Sequence, residues 1–120
     1  MIIGLEKIYK SEKPELVISG INTGENLGQD ILYSGTVGAA VEAGFYGIPS
    51  IAVSIEKNGH PIYSTAIRFL KEIVRTFPFE IFNYSPKVLN INFPNIPYSE
   101  IKGIKLTKLA QIFHQKKIKS

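Results

Sequence analysis

The sequence predicts an α/β fold built on a parallel sheet, and three observations predict it. The stretch Leu16 to Val53 opens with an apolar triplet, Leu16-Val17-Ile18, and passes through a polar, glycine-rich segment, Ser19 to Gly28. It continues into a helical pattern opened by Ser34-Gly35-Thr36 and closes on a second apolar run, Ile51-Ala52-Val53. Strand, loop, helix, strand is the order of a βαβ unit. Beyond it, an amphipathic helical pattern and then an alternating stretch, Lys87 to Phe93, repeat helix-then-strand. The polar loop leaves the carboxyl end of the first strand, where parallel sheets place their ligands.

Taken in order, Ile2, Ile3, Leu5, Ile8 and Tyr9 are spaced for a buried helical face, and Ser11-Glu12-Lys13-Pro14 breaks it. Leu16 to Ile18 is continuous enough for a central strand covered on both faces. Gly20, Gly24 and Gly28 recur at four-residue spacing, so Ser19 to Gly28 is expected to be irregular. Ser34 to Gly47 predicts a helix with Val37, Ala40, Val41, Gly44 and Phe45 on one face. Ser34 is its N-cap, and Gly47 and Pro49 stop it. Ser50 to Ile55 is the next buried strand. Asn58-Gly59-His60-Pro61 is a turn. Ala66, Ile67, Leu70, Ile73, Val74 and Phe77 then form the clearest amphipathic helix, ended by Pro78. In Lys87 to Phe93, Val88, Asn90 and Asn92 alternate with Leu89, Ile91 and Phe93, which suits a strand with one polar face near a sheet edge. Gly103 to Leu106 is a candidate final strand.

The 120 residues form one domain, 1–120, long enough to bury a core. Hydrophobic residues at 44% and charged residues at 20% suit a globular protein. With no cysteine, the chain has no disulfide, thiolate metal site or thiol nucleophile. Neither a signal peptide nor an apolar run of membrane-spanning length is found. The net charge of +4 is concentrated late, with six lysines and no acid from Lys102 to Ser120. No aromatic ladder or recognised motif accompanies them, so a solvated terminus is favoured over a nucleic-acid site.

Chemistry gathers in two places. Ser19, Asn22, Thr23, Glu25 and Asn26 follow the first strand, and Ser34, Gly35 and Thr36 open the helix. A helix N-terminus offers free N–H groups and partial positive charge to an anion. Hydroxyls at Ser34 and Thr36 add donors for phosphate oxygens. Asn22 and Asn26 suit either a hard cation, as neutral oxygens, or a phosphate, as donors. Turn-making and capping alone would also account for these residues. No Gly-Lys-Ser/Thr follows the glycines, and their spacing is not G-x-G-x-x-G. His60, in a turn, and His114, in the basic tail, read as ordinary exposed histidines. The stretch lacks the carboxylate cluster of a catalytic divalent-metal site.

Ser19-Gly20-Ile21-Asn22-x-Gly24-x-Asn26-Leu27-Gly28, then Tyr33-Ser34-Gly35-Thr36-Val37, Ala39-Ala40 and Gly47-Ile48-Pro49-x-Ile51-Ala52-Val53-Ser54, closely resemble the SurE family of survival-protein nucleotidases. The resemblance extends through Leu89-Asn90-Ile91-Asn92-Phe93-Pro94 and Lys102-Gly103-Ile104, and weakens after Leu109. It implies a Rossmann-like three-layer α/β sandwich with a mainly parallel sheet, here truncated at both ends. It implies a metal-dependent phosphatase, a 5'-nucleotidase acting on nucleoside monophosphates, with magnesium or manganese as the divalent cation. By the same resemblance Asn22 is a metal ligand, and Asn26 and Ser34 are phosphate contacts. Gly35 and Thr36 match the second motif and are expected to add donors.

Family members also carry an N-terminal Asn-Asp-Asp-Gly motif with no counterpart here, so the catalytic residues stay unassigned. Gln29 stands where an acid is common. The chain reads as the middle of a SurE protein, expected to be inactive alone. The alternative is a non-catalytic remnant that binds phosphate or forms oligomers. A homo-oligomer in the cytoplasm is expected, with no membrane or nucleic-acid polymer as partner.

Overall fold

The computed structural model describes residues 12, 14–25, 34–76 and 87–105. Five regular elements alternate along the chain: β1 (Val17–Thr23), α1 (Gly35–Phe45), β2 (Ser50–Ile55), α2 (Tyr63–Thr76) and β3 (Val88–Phe93). A 3-10 turn, Tyr98–Glu100, follows. The strands form one sheet in the order β1-β2-β3, and both pairings are parallel. This is the α/β architecture that the sequence predicts.

The two faces of β2 divide the core. Ile51, Val53 and Ile55 point to one side and pack with Ala66, Leu70 and Ile73 of α2 and with Phe93 of β3. Phe69 meets Phe93 edge-on, with ring centroids 5.5 Å apart, a favoured aromatic geometry. On the other side Ala52 packs with Val37 and Ala40 of α1, and Val88 joins them. Lower on that face, Ala43 and Ile48 pack with Val17. Small residues on α1 bring its axis close to the sheet. The result is three layers, α1, sheet and α2, with every residue of β2 buried. Two buried hydroxyls reach backbone carbonyls: Ser50 Oγ donates to that of Ile48 at 2.9 Å and Thr65 Oγ1 to that of Ile96 at 2.6 Å.

Several expectations need correction. β1 is an outer strand among the described strands, not a central one, and Ile18 is 41% exposed. β2 holds the middle because it alone is apolar enough on one face and small enough on the other to be covered twice. The glycine-rich segment is strand in its first part, since β1 continues to Thr23, with its irregularity confined there to a register shift between Ser19 and Asn22. Phe45 is 69% exposed. The buried arc of α1 runs through Val37, Ala40, Ala43 and Gly44, and at ~100° per residue Phe45 lies about 140° from Ala40. Ile67 and Val74 flank the buried side of α2 and are also exposed. Residues 101–105 form no strand. The expected helix from Ile2 to Tyr9, and Phe77, Pro78, Leu106 and His114, lie outside the described residues.

Candidate functional site

The site begins with an irregularity in β1. Ser19 pairs with Ala52, but the next pairing is Asn22 with Ser54, so Gly20 and Ile21 together stand opposite Val53. One extra residue makes a bulge, and a bulge changes which face the following side chains occupy. Upstream, Leu16 packs on the α2 side and Val17 on the α1 side. Downstream, Ile21 packs on the α2 side, and Asn22 shares the α1 face with its partner Ser54. Strict alternation would reverse both. Gly20 makes the bulge feasible: its φ is +134°, and a Cβ there would run into the Val53 carbonyl oxygen. The Gly20–Ile21 peptide is cis.

Asn22 is half-buried, and its Nδ2 donates to the Gly24 carbonyl at 2.8 Å. This orients the carboxamide and leaves Oδ1 and the second Nδ2 N–H to offer to a ligand. The turn is pinned to β2, because Gly24 N–H donates to the Ile55 carbonyl at 2.7 Å and Lys57 N–H to Glu25 Oε1 at 2.9 Å. β2 is pinned in turn to β3. Glu56 N–H donates to the Phe93 carbonyl at 2.9 Å, and Asn95 N–H to Glu56 Oε1 at 3.0 Å. The Asn95 side chain ties the next loop, with Nδ2 donating to the carbonyls of Asn58 and His60 and Oδ1 accepting from Ile62 N–H. Backbone and carboxylate bonds thus lace the three loops at the carboxyl rim of the sheet.

Ser34 caps α1 as its residue type predicts: Oγ accepts from Val37 N–H at 3.1 Å, and the backbone is extended there. Because the oxygen is the acceptor, the hydroxyl proton can still be given to an anion. Ala43 packs beside Val17, and Val37 and Ala40 pack on Ala52. A helical turn rises about 5.4 Å and a strand residue about 3.3 Å, so the turn before Val37 stands above Ser54. The first turn of α1 therefore overhangs the row that contains Asn22. Gly35 is exposed, and no described atom lies within 4 Å of where its Cβ would be. Thr36 is half-buried in the same turn. Asn26 lies outside the described residues.

Two polar residues in this row are absent from the sequence-derived site. Ser54, fully buried, pairs with Asn22 on one side and Asn92 on the other. The hint was available in β3, where asparagines occupy alternate positions of an otherwise apolar strand, but only the strand order brings them beside Asn22.

Among the described residues no group of three or more histidines, cysteines, aspartates or glutamates could hold a metal. Asn22 Oδ1 suits a hard cation as one neutral oxygen ligand. The described donor set therefore fits a contribution to a cation site, with negative charge supplied from elsewhere.

Comparison with known proteins bears on what such a rim is for. The family described as Survival protein SurE matches residues 1–116. The chain belongs to the SurE family. Relatives include the 5'-nucleotidase SurE of Fervidobacterium nodosum, 50% identical over 112 residues, a match covering 91% of this chain and 42% of that protein. The 5'-nucleotidase SurE of Alkaliphilus metalliredigens is 47% identical over 108 residues, covering 90% and 42%. The SurE protein from Aquifex aeolicus has the same fold, with a TM-score of 0.72 at 43% identity over 86% of this chain and 41% of that one. The chain thus spans about two fifths of the length of these SurE relatives. At family level SurE proteins are nucleotidases, phosphoric monoester hydrolases. Among the described residues no helix is long and apolar enough to cross a membrane.

Proposed function

We propose that this chain supplies the phosphate-holding side of a divalent-metal-dependent nucleoside monophosphate phosphatase. The observation that carries the reading is the packing of Val37 and Ala40, just after the Ser34 cap, on Ala52, two residues before the Asn22–Ser54 row at the carboxyl rim. In this reading Ser34 and the first-turn amides of Gly35 and Thr36 hold the phosphoryl oxygens, and Asn26 joins them. Asn22 turns Oδ1 toward magnesium or manganese. When bound, such a cation stabilises charge on the phosphoryl group and favours water as nucleophile. The chain's own residues orient the phosphomonoester and exclude competing water, which is where positioned donors act in phosphoryl transfer.

The donor set also favours a second reading for the chain by itself, as a phosphate-binding module without turnover. One neutral oxygen does not hold a divalent cation, which gathers several oxygens and usually carboxylates.

One experiment addresses both. The chain is assayed alone, and again joined to an N-terminal SurE segment bearing the aspartate pair and to a C-terminal SurE segment, with a nucleoside monophosphate and manganese. The joined protein should release phosphate only with the cation, and the chain alone should release almost none. In the joined protein Asn22→Ala should weaken cation dependence. If the joined protein turns over and its Asn22→Ala and Ser34→Ala variants both match it, the site assignment is wrong.

A further inference from the structure

We propose that Asn92 is a further contact of this site, donating a carboxamide N–H to the bound phosphoryl group from the side opposite Asn22. The inference rests on the phosphate-holding reading above and adds a residue to it.

Asn22, Ser54 and Asn92 are register partners in adjacent parallel strands, so they form one row across the sheet. The row lies on the α1 face, at the height where α1 begins. Its outer members are about two strand spacings, roughly 9.5 Å, apart. Ser54 between them is short and fully buried. The row is therefore long, short, long, with its two half-buried asparagines on either side of a covered serine.

The row differs from the one below it in what covers its middle. One pair lower on the α1 face the row is Ser19, Ala52 and Asn90, polar at both ends as well, but Ala52 is covered by Val37 and Ala40 of α1. One residue on, at the other face, the same strands carry Thr23, Ile55 and Phe93. Asparagine is disfavoured in strands, and its carboxamide is expensive to desolvate without partners. No acidic side chain stands in the row to repel an anion. Asn22 gives one of its two Nδ2 N–H groups to Gly24, and in the reading above its oxygen turns to the cation, so a second asparagine in the row adds donors that Asn22 does not supply alone. A carboxamide has two N–H donors and a two-lone-pair oxygen, enough for Asn92 to keep its place in the fold and meet an anion.

The test uses the 120-residue chain, uniformly labelled with 15N, and inorganic phosphate as the probe. Phosphate should move the Asn92 Nδ2 signals downfield and leave those of Asn90 in place. Asn92→Asp keeps the shape, identifies the Asn92 signals by their loss, and should abolish binding by like charge. Asn92→Ala should weaken binding about tenfold or more, the loss expected for one hydrogen bond to a charged group. If Asn92→Ala does not fold, the signals of the unsubstituted chain decide. Phosphate binding at the Ser34–Val37 amides with still Asn92 signals, or with Asn92→Asp binding like the parent, overturns this proposal alone. No phosphate binding by the parent overturns it together with the phosphate-holding reading.

Discussion

A Cβ at Gly20 would meet the Val53 carbonyl oxygen on backbone already held at φ +134°. Gly20→Ala should therefore destabilise the chain by at least about 1–3 kcal/mol from backbone strain, before the collision is added. Urea denaturation checks the size, and a rise in Ile21 exposure would show that the bulge has opened. Ser34 separates two roles that one substitution would confuse. Ser34→Ala should lose the cap, about 0.5–2 kcal/mol, and weaken phosphate binding. Ser34→Asp should keep the cap and still lose phosphate by repulsion. If Ser34→Asp binds phosphate like the parent, the hydroxyl is a cap and nothing more.

At the scale of elements, the lacing of the rim rests on Asn95, whose side chain makes three hydrogen bonds to the 58–62 loop. Asn95→Ala should cost about 1.5–4.5 kcal/mol at 0.5–1.5 per net bond. It should also accelerate hydrogen exchange at Ile62 N–H far more than at amides in the middle of β2. Equal protection at Ile62 before and after would show that the loop is held by other means. The sequence made the elements plain where local pattern sufficed. β2 is an unbroken small-and-apolar run, α2 has strong helical periodicity, and Ser34 is a good cap in its proper place. It hid the course of β1 beyond Ser19, because glycines at four-residue spacing look like a loop. Strand pairing resumes there only because Asn22 and Thr23 find Ser54 and Ile55. It hid the role of Asn92 for a related reason. β3 is an outer strand among the described strands, as its alternation suggests, but only the strand order shows that its polar face stands beside Ser54.

Over the whole molecule, Ile18, Phe45, Ile67 and Val74 leave apolar surface exposed. Ile67 and Val74 line one shallow depression on α2 with Leu70, Lys71 and Arg75. Exposed apolar patches drive association, and an outer strand such as β1 adds to it where its edge is uncovered. The 120-residue chain should therefore run as oligomers or aggregates in light scattering coupled to size exclusion. Charged replacements such as Val74→Lys should shift it toward smaller species. A stable monomer with a sharp, reversible melting transition would count against this. The exposed ion pair of Arg75 with Glu72, 2.7 Å apart within α2, is not expected to change the outcome.

The bulge at Gly20 has a consequence for how β1 stores information. On either side of it the strand obeys a two-residue beat, but the two halves are half a beat out of step. Their relative phase is independent of what either half spells. Deleting Gly20 would bring them into step with nothing turned over: Ile21 alone would stand opposite Val53, and Asn22 would keep its place beside Ser54 on the α1 face. Pulling the bulge straight with every residue kept would do the reverse, turning Ile21 toward α1 and Asn22 toward the apolar layer under α2. Such a straightening would alter no candidate ligand and still erase the site, so circular dichroism would stay close to the parent's while the response of Asn22 to manganese in the joined protein disappeared. Matching residue types along β1 is therefore not enough to establish a working site; the bulge between Ser19 and Asn22 has to form as well.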